Sequence, residues 1–411
     1  MTAEEIHDVI VVGAGIIGLN IAFQLARNSD LRVLVLEKGP NVAQGSTGAS
    51  SAVMRARYTH PEMAMAARDG LHAYRNWAEY TGLAEPLASY EGIGTLWMMG
   101  EDQETVAADV ERMGRLGIAA ECLDASSLTD RWPSLNPCSV EFDPADHRCA
   151  RGGYFLFEPE GGFFDPVSAA QDLRDASRGR GVEIRFGARV DGLTGGESRA
   201  DGVVLDDGTR IGAGLVVLCT GPWTASWLRA NHIDIGWDFR PTRIQVLTRS
   251  LPAEIGPLPV VGDGCGGIYF RPEAGGDRLL LGSILESDEK ELVADPDSFD
   301  TRLDPEFRDP KLWALHHRLP DLEMKGRVTG LASMYTITAD VHPVIGDAAV
   351  EGVLLASGFS GHGFKEGPAV GAMVAARVLG HSPAEFGTEA PIEFFAPDRR
   401  PLDTADHSVL A

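Results

Sequence analysis

Residues 8–18 read DVIVVGAGIIG, an apolar run leading into Gly13-x-Gly15-x-x-Gly18, and a second apolar run ends on an acid at Glu37. The order strand, glycine triplet, amphipathic helix (Ile16 to Ala26), strand, acid is that of a dinucleotide cradle. The first glycine makes the tight turn, the second lets backbone approach a pyrophosphate, and the third lets the helix pack on the strand. Gly13, Gly15, Ile16, Ile17 and Gly18 therefore face the pyrophosphate, held at a helix N-terminus whose free N–H groups favour an anion. Glu37 follows Gly18 at close to the ~20-residue spacing expected of the acid that accepts ribose hydroxyls. Lys38 adjoins it.

The chain has 411 residues, 44% of them hydrophobic, enough for a large core and for two domains. Sixty acidic against 36 basic residues give a net charge of −24. That balance disfavours nucleic acid or an anionic membrane as partner and suits a small-molecule enzyme. The apolar stretch from Val9 to Ala26 is preceded by Glu4, Glu5 and Asp8, where a signal peptide needs positive charge. No run reaches a membrane span, so a soluble, cytoplasmic protein is expected. Cys122, Cys138, Cys149, Cys219 and Cys265 are odd in number and far apart, with no C-x-x-C pair and no H-E-x-x-H. Neither a metal site nor a disulfide framework is expected.

After Glu37 comes a loop of small residues, with Gly45, Ser46, Thr47 and Gly48, of a kind that can run beneath a flat cofactor. Helical patterns follow at Met63–Tyr80 and Glu104–Leu116, with a strand at Gly94–Met98. Further on, a strand at Gly153–Phe157 precedes a helix at Pro166–Arg178, a strand at Val182–Phe186, a hairpin turning at Asp207-Gly208, and a buried strand Gly214–Cys219 that stops at Thr220-Gly221-Pro222-Trp223. Short segments between Arg240 and Val328 read as antiparallel strands. A strand at Gly352–Gly358 leads into Phe359-Ser360-Gly361-His362-Gly363-Phe364-Lys365, and a helix is expected to begin near Glu366 to Pro368, because proline suits a first turn. The tail from Ser382 reads as a surface extension.

With both ends in view, the chain resembles the FAD-dependent family of D-amino acid oxidase, glycine oxidase and monomeric sarcosine oxidase, the sarcosine oxidase branch most. The likeness runs from Asp8 to about Gly380. In that branch a loop G-S-x8-R-x-x-Y brings an arginine to the substrate carboxylate, and Gly45, Ser46, Arg55 and Tyr58 match it without a gap. The family's Gly-His-Gly-Phe-Lys turn falls on Gly361, His362, Gly363, Phe364 and Lys365. The resemblance implies backbone N–H groups at the flavin's pyrimidine edge and a lysine at the substrate carboxylate. It also places Tyr269 as an aromatic wall, Tyr335 of Met334-Tyr335-Thr336 near the flavin, and Val190 with its backbone toward adenine. Thr220, Gly221 and Trp223 are further cofactor-binding candidates, with Trp223, after Thr220-Gly221-Pro222, expected to pack beneath the FAD domain.

Two departures from the branch carry weight. Its flavin-linking cysteine falls on Ser333 and the histidine of its early loop on Gly48, so FAD is expected to be noncovalent. Leu280 stands where the monomeric sarcosine oxidases have the lysine that assists oxygen reduction, which leaves another electron acceptor open.

The resemblance implies an α/β fold: a discontinuous Rossmann-like FAD-binding domain (1–88, 153–235 and 328–385), a mainly antiparallel β-sheet substrate domain (89–152 and 236–327) and a C-terminal extension (386–411). The expected activity is oxidation of a C–N bond in a carboxylate-bearing amine (N-alkyl, cyclic or D-amino acid) to an imine, which water hydrolyses. Arg55, Lys365, His362, Tyr269 and Tyr335 are the candidate site residues, with two cations for one anion and no dedicated base. His362, between glycines, reads first as a residue that fixes its loop. The alternatives are a dehydrogenase that passes electrons to a partner other than oxygen, and a FAD-binding subunit without its own chemistry.

Overall fold

The N-terminal apolar run forms the strand Ile6–Val12, which pairs in parallel with Val33–Glu37 on one side and Arg210–Leu218 on the other. Val9–Val12, Val33–Glu37 and residues 216–218 are buried without a break, the pattern of a sheet covered on both faces. In the computed structural model, which describes residues 6–196 and 198–403, the sheet runs Val344–Asp347, Val353–Ser357, Arg210–Leu218, Ile6–Val12, Val33–Glu37, Glu183–Phe186. The hairpin Val190–Gly196 with Arg199–Leu205 is added on Arg210–Leu218. The helices Ile16–Asn28, Pro61–Arg75, Pro166–Arg178 and Gly363–Leu379 share one apolar cluster on one face. Pro166–Arg178 begins with Pro at its first turn and Asp165 accepting from the Ser168 N–H, a start that sequence alone places correctly.

A second sheet runs Val328–Ile337, Arg240–Ser250, Arg278–Ser283, Ile268–Pro272, Val260–Asp263, Thr95–Met98, Tyr154–Glu158, Glu121–Asp124. It is antiparallel except where Val260–Asp263 meets Thr95–Met98. Along its central strands Ile268, Phe270, Leu279 and Leu281 join one apolar cluster with the helix Pro305–Arg318. By the alternation of a strand, Tyr269, Arg271 and Leu280 face the other way, toward the first unit.

Four local expectations are corrected. The strands Tyr154–Glu158 and Val328–Ile337, expected with the FAD-binding segments, pair in the second sheet. The Met63–Tyr80 helix is two helices, Pro61–Arg75 and Trp77–Thr81, broken at Asn76. The last long helix starts at Gly363 rather than near Glu366, which puts Pro368 inside it. Pro368 has no N–H for the Phe364 carbonyl one turn back, and the Tyr74 hydroxyl donates to that carbonyl instead at 2.7 Å. The tail is tied down: Ala390 and Phe395 are buried and Arg399 pairs with Asp340. Residues 404–411 of the expected extension lie outside the described residues. Among the described residues no helix is long and apolar enough to cross a membrane.

Candidate active site

The glycine turn has the geometry of a cradle. Gly13 sits at φ +107°, and a Cβ there would lie 2.5 Å from the Cys219 carbonyl oxygen, so only glycine fits between the two central strands. The following helix opens at Gly15 with no side-chain cap and no acid in its first turn. Thr47 accepts from the Ile16 N–H at 3.0 Å. The N–H groups of Ile17 and Gly18 are beyond the reach of any intrahelical carbonyl, which suits a pyrophosphate. Glu37 is buried and accepts from the N–H groups of Ala14 (2.8 Å, Oε2) and Gly39 (2.7 Å, Oε1). A carboxylate has lone pairs beyond those two bonds for ribose hydroxyls. These residues fit the adenosine and pyrophosphate half of FAD.

Around them the agreement is uneven. Ser46 donates to the Met334 carbonyl at 2.7 Å and so ties the small-residue loop, with Gly45, to the second sheet. Thr220 bonds Thr224 at 2.9 Å, next to Gly221 at φ +51°. Trp223 does not pack beneath the domain: it is half-buried, stacks under the Lys38 ammonium 3.7 Å from its ring centroid, and donates to Asp297 at 2.9 Å. The Val190 carbonyl already accepts from the Trp227 indole at 3.0 Å.

The second half of the site is built where the Gly363–Leu379 helix begins. Phe359 takes the His362 N–H at 2.7 Å, so the free donors at this helix start are Gly363, Phe364 and Lys365, two residues further along than Gly361. The turn is held by close helix packing: a Cβ on Gly70 would lie 1.9 Å from the Lys365 carbonyl oxygen. Three non-glycine residues with positive φ stand here: Ser360 in the turn, Val341 whose backbone meets His362, and Ala52 lining the facing loop. For β-branched Val341 this is a strained conformation, and such strain concentrates at functional sites.

Arg55, Lys365, Tyr269, Tyr335, Trp97 and Phe364 line one cavity beside this turn. The Arg55 side chain is buried, its guanidinium carbon lies 4.0 Å from the Tyr58 ring centroid, and it donates to the Arg57 carbonyl. The Lys365 ammonium lies 5.8 Å from the same ring. Arg57 is engaged elsewhere, by Glu101 at 2.6 Å and Asp109 at 2.7 Å, which separates the two neighbouring arginines by role. Burial, and then the charge of Arg55, push Lys365 down to about 7. The His362 ring is buried, and its Nδ1 meets the Tyr58 hydroxyl at 3.1 Å. Burial and the cations Lys365 and Arg55 hold it well below the usual imidazole range, so it is neutral and fixes the loop. Tyr269 lies across Gly282, where a Cβ would come within 2.4 Å of the ring.

Three groups escaped the sequence reading. Glu158 is buried and accepts from the Ala56 N–H at 2.6 Å and the Trp97 indole at 2.8 Å, which fixes the backbone beside Arg55. Glu366 is buried, and burial pushes its carboxyl up to about 7 against the opposing pull of Lys365 and Arg55. No motif marks either residue; they are found only by where the strands and the helix bring them. Third, the expectation of no metal site rested on cysteine spacing along the chain. The fold instead gathers Cys138, His147, Cys149 and His317 in the second unit.

A family model described as FAD dependent oxidoreductase (DAO) matches residues 8–377. A monomeric sarcosine oxidase of Streptomyces avermitilis is 29% identical, over 96% of this chain and 97% of its own. The FAD-dependent oxidoreductase domain-containing protein 1 of Bos taurus is 28% identical, over 92% of this chain and 82% of its own. Among solved structures, the L-proline dehydrogenase from P. horikoshii superposes with a TM-score of 0.80 over 96% of this chain and 97% of its own, at 22% identity, a likeness of fold.

Proposed function

The chain belongs to the family of FAD dependent oxidoreductases, and from that premise we propose that it oxidises the C–N bond of a carboxylate-bearing amine, an N-alkyl, cyclic or D-amino acid, to an imine that water hydrolyses. The observation that carries this reading is the pair of buried cations, Arg55 and Lys365, facing one cavity walled by Tyr269 and Tyr335. Arg55 clamps the substrate carboxylate through its planar guanidinium, and Lys365 adds a point charge that the bound anion holds protonated. The tyrosine walls and Trp97 exclude water and leave the amine end facing the turn. Bound FAD supplies the two-electron acceptor. The Gly363, Phe364 and Lys365 N–H groups and the positive end of their helix would stabilise negative charge on a flavin held against them. Ser333 offers no thiol for a covalent link to the flavin, which supports noncovalent binding. The 29% identity to a sarcosine oxidase supports the amine class.

A second reading, a dehydrogenase with an acceptor other than oxygen, is favoured by Leu280. It faces the first unit where a lysine would assist oxygen, and the cation directly across the strand pair, Arg271, is bonded to the Ser51 carbonyl at 2.8 Å. Anaerobic bleaching of the yellow protein by a panel of N-methyl, cyclic and D- or L-amino acids tests the first reading. Bleaching by acidic amines alone supports it, and bleaching by none refutes it. Readmitted oxygen then separates the two readings, through peroxide stoichiometric with substrate or through flavin that stays reduced.

A further inference from the structure

Far from the flavin turn in sequence, Cys138, His147, Cys149 and His317 present one ligand atom each, all within 4.8 Å of one another. We propose that these four side chains form a structural zinc site, independent of the flavin chemistry. The donor set, two thiols and two imidazoles, is that of closed tetrahedral zinc centres. The spacing agrees as well. With Zn–S of ~2.3 Å and Zn–N of ~2.0 Å at tetrahedral angles, sulfur and nitrogen ligands stand about 3.5 Å apart, and Cys138 Sγ lies 3.4 Å from His147 Nε2. The two imidazole centroids are 4.3 Å apart at a steep angle, and the Phe142 ring packs against both, at 5.3 Å from His147 and 4.8 Å from His317.

The surroundings pre-order the four ligands. Cys138, His147 and Cys149 lie on one loop whose stem is closed by the Cys138–Arg151 bridge and the Ser139 N–H to Ala150 carbonyl bond. His317 stands at the C-terminal end of the Pro305–Arg318 helix. Arg318 joins the two, donating to the Cys138 carbonyl at 2.9 Å and forking onto Asp263 at 2.9 and 2.6 Å, with both charged side chains fully buried. Asn136 reaches the His317 carbonyl at 3.1 Å and ring at 3.3 Å. His317 Nδ1 is buried without a hydrogen-bond partner among the described residues, so neither ring nitrogen is committed to a carboxylate that would compete with a metal. Coordination releases the two thiol protons, and a divalent ion with two thiolates and two neutral imidazoles is neutral overall, which suits a half-buried position. Four protein ligands leave no open coordination position, so the role is to pin the loop to the helix. Through Asp263 the pin also holds the end of the strand whose Val260 and Val261 line the substrate cavity.

The test is elemental analysis of the FAD-loaded full-length protein, purified without chelator or metal column and dialysed against zinc. About one zinc per chain is expected. Cys149→Ser and His147→Ala should each lose most of that metal and lower the melting temperature while the FAD content is kept. Cys149 is exposed and His147 half-buried, so both variants should fold. Absence of zinc after dialysis, zinc that persists in both variants, or a Cys138–Cys149 disulfide in a non-reducing peptide map would each overturn the proposal.

Discussion

Replacing Tyr74 with phenylalanine removes one oxygen atom from a fully buried ring and should destabilise the helix start at the flavin turn. The ring itself would stay in place, stacked between Trp77 at 5.1 Å and Phe364 at 5.2 Å. What is lost is the 2.7 Å bond to the Phe364 carbonyl, which Pro368 cannot replace. A buried acceptor left without its partner costs about 1–3 kcal/mol, against 0.5–1.5 kcal/mol for an ordinary hydrogen bond. The diagnostic partner is Pro368→Ala, which restores an N–H one turn after Phe364 and lets the helix satisfy its own carbonyl. In that background Tyr74→Phe should cost less than about 0.5 kcal/mol, giving a coupling of roughly 1–2 kcal/mol in a double-mutant cycle. The assay is urea unfolding of the four FAD-loaded proteins with flavin release as a second probe, since the same turn supplies the Phe364 and Lys365 N–H groups. Equal costs in both backgrounds would refute the reasoning, because the hydroxyl would then not be doing the missing N–H's work.

Further outcomes follow from the cations and the cradle. Arg55→Ala should lower kcat/KM for an acidic amine about ten- to a hundredfold, the ~1.5–3 kcal/mol of a charge-assisted pair, while leaving a neutral amine's value unchanged; equal losses for both would remove Arg55 from the carboxylate. Affinity for a simple carboxylate such as propionate, read by flavin difference spectra, should fall as pH rises through about 7, because Lys365 loses its charge and Glu366 gains one over the same range. That dependence should flatten in Lys365→Met, and a flat wild-type profile would refute the assignment. Glu37→Gln should weaken FAD retention roughly tenfold, since an amide cannot accept through both ends from Ala14 and Gly39 and still take ribose hydroxyls. Unchanged flavin dissociation would place the ribose elsewhere.

The sequence showed most of what local geometry dictates. The DVIVVGAGIIG run, Glu37 and the proline-started helix at Pro166 are constrained by their own neighbours, and they lie where periodicity and turn chemistry put them. The flavin-side helix starts earlier than Pro368's preference for a first turn suggests, because tight packing against Gly70 and the Tyr74 hydroxyl, both distant in the chain, support the added turn. Arg55 and Lys365 were legible through a family motif, yet Glu158 and Trp97, which fix the backbone beside Arg55, sit on strands whose pairing no spacing announces. The Cys138, His147, Cys149 and His317 cluster escapes sequence for a related reason: three ligands share a loop at unfamiliar intervals, and the fourth comes on the helix Pro305–Arg318, about 170 residues further along the chain.

The tail has a consequence for anyone handling the protein. Trp237 donates to the Pro397 carbonyl at 2.7 Å, Arg399 covers the Trp237 ring at 4.2 Å, and the Leu402 N–H reaches Asp340 at 2.9 Å. Asp340 in turn accepts from the His342 N–H at 3.1 Å, and the His342 ring stands 6.4 Å from that of His362. Residues 391–402 thus act as a clasp whose inner end is two side chains from the turn that carries His362. A version trimmed just after the last long helix would leave Asp340 without its counter-ion and expose the indole. Shortening at that end should loosen the turn at His362 and, with it, FAD retention.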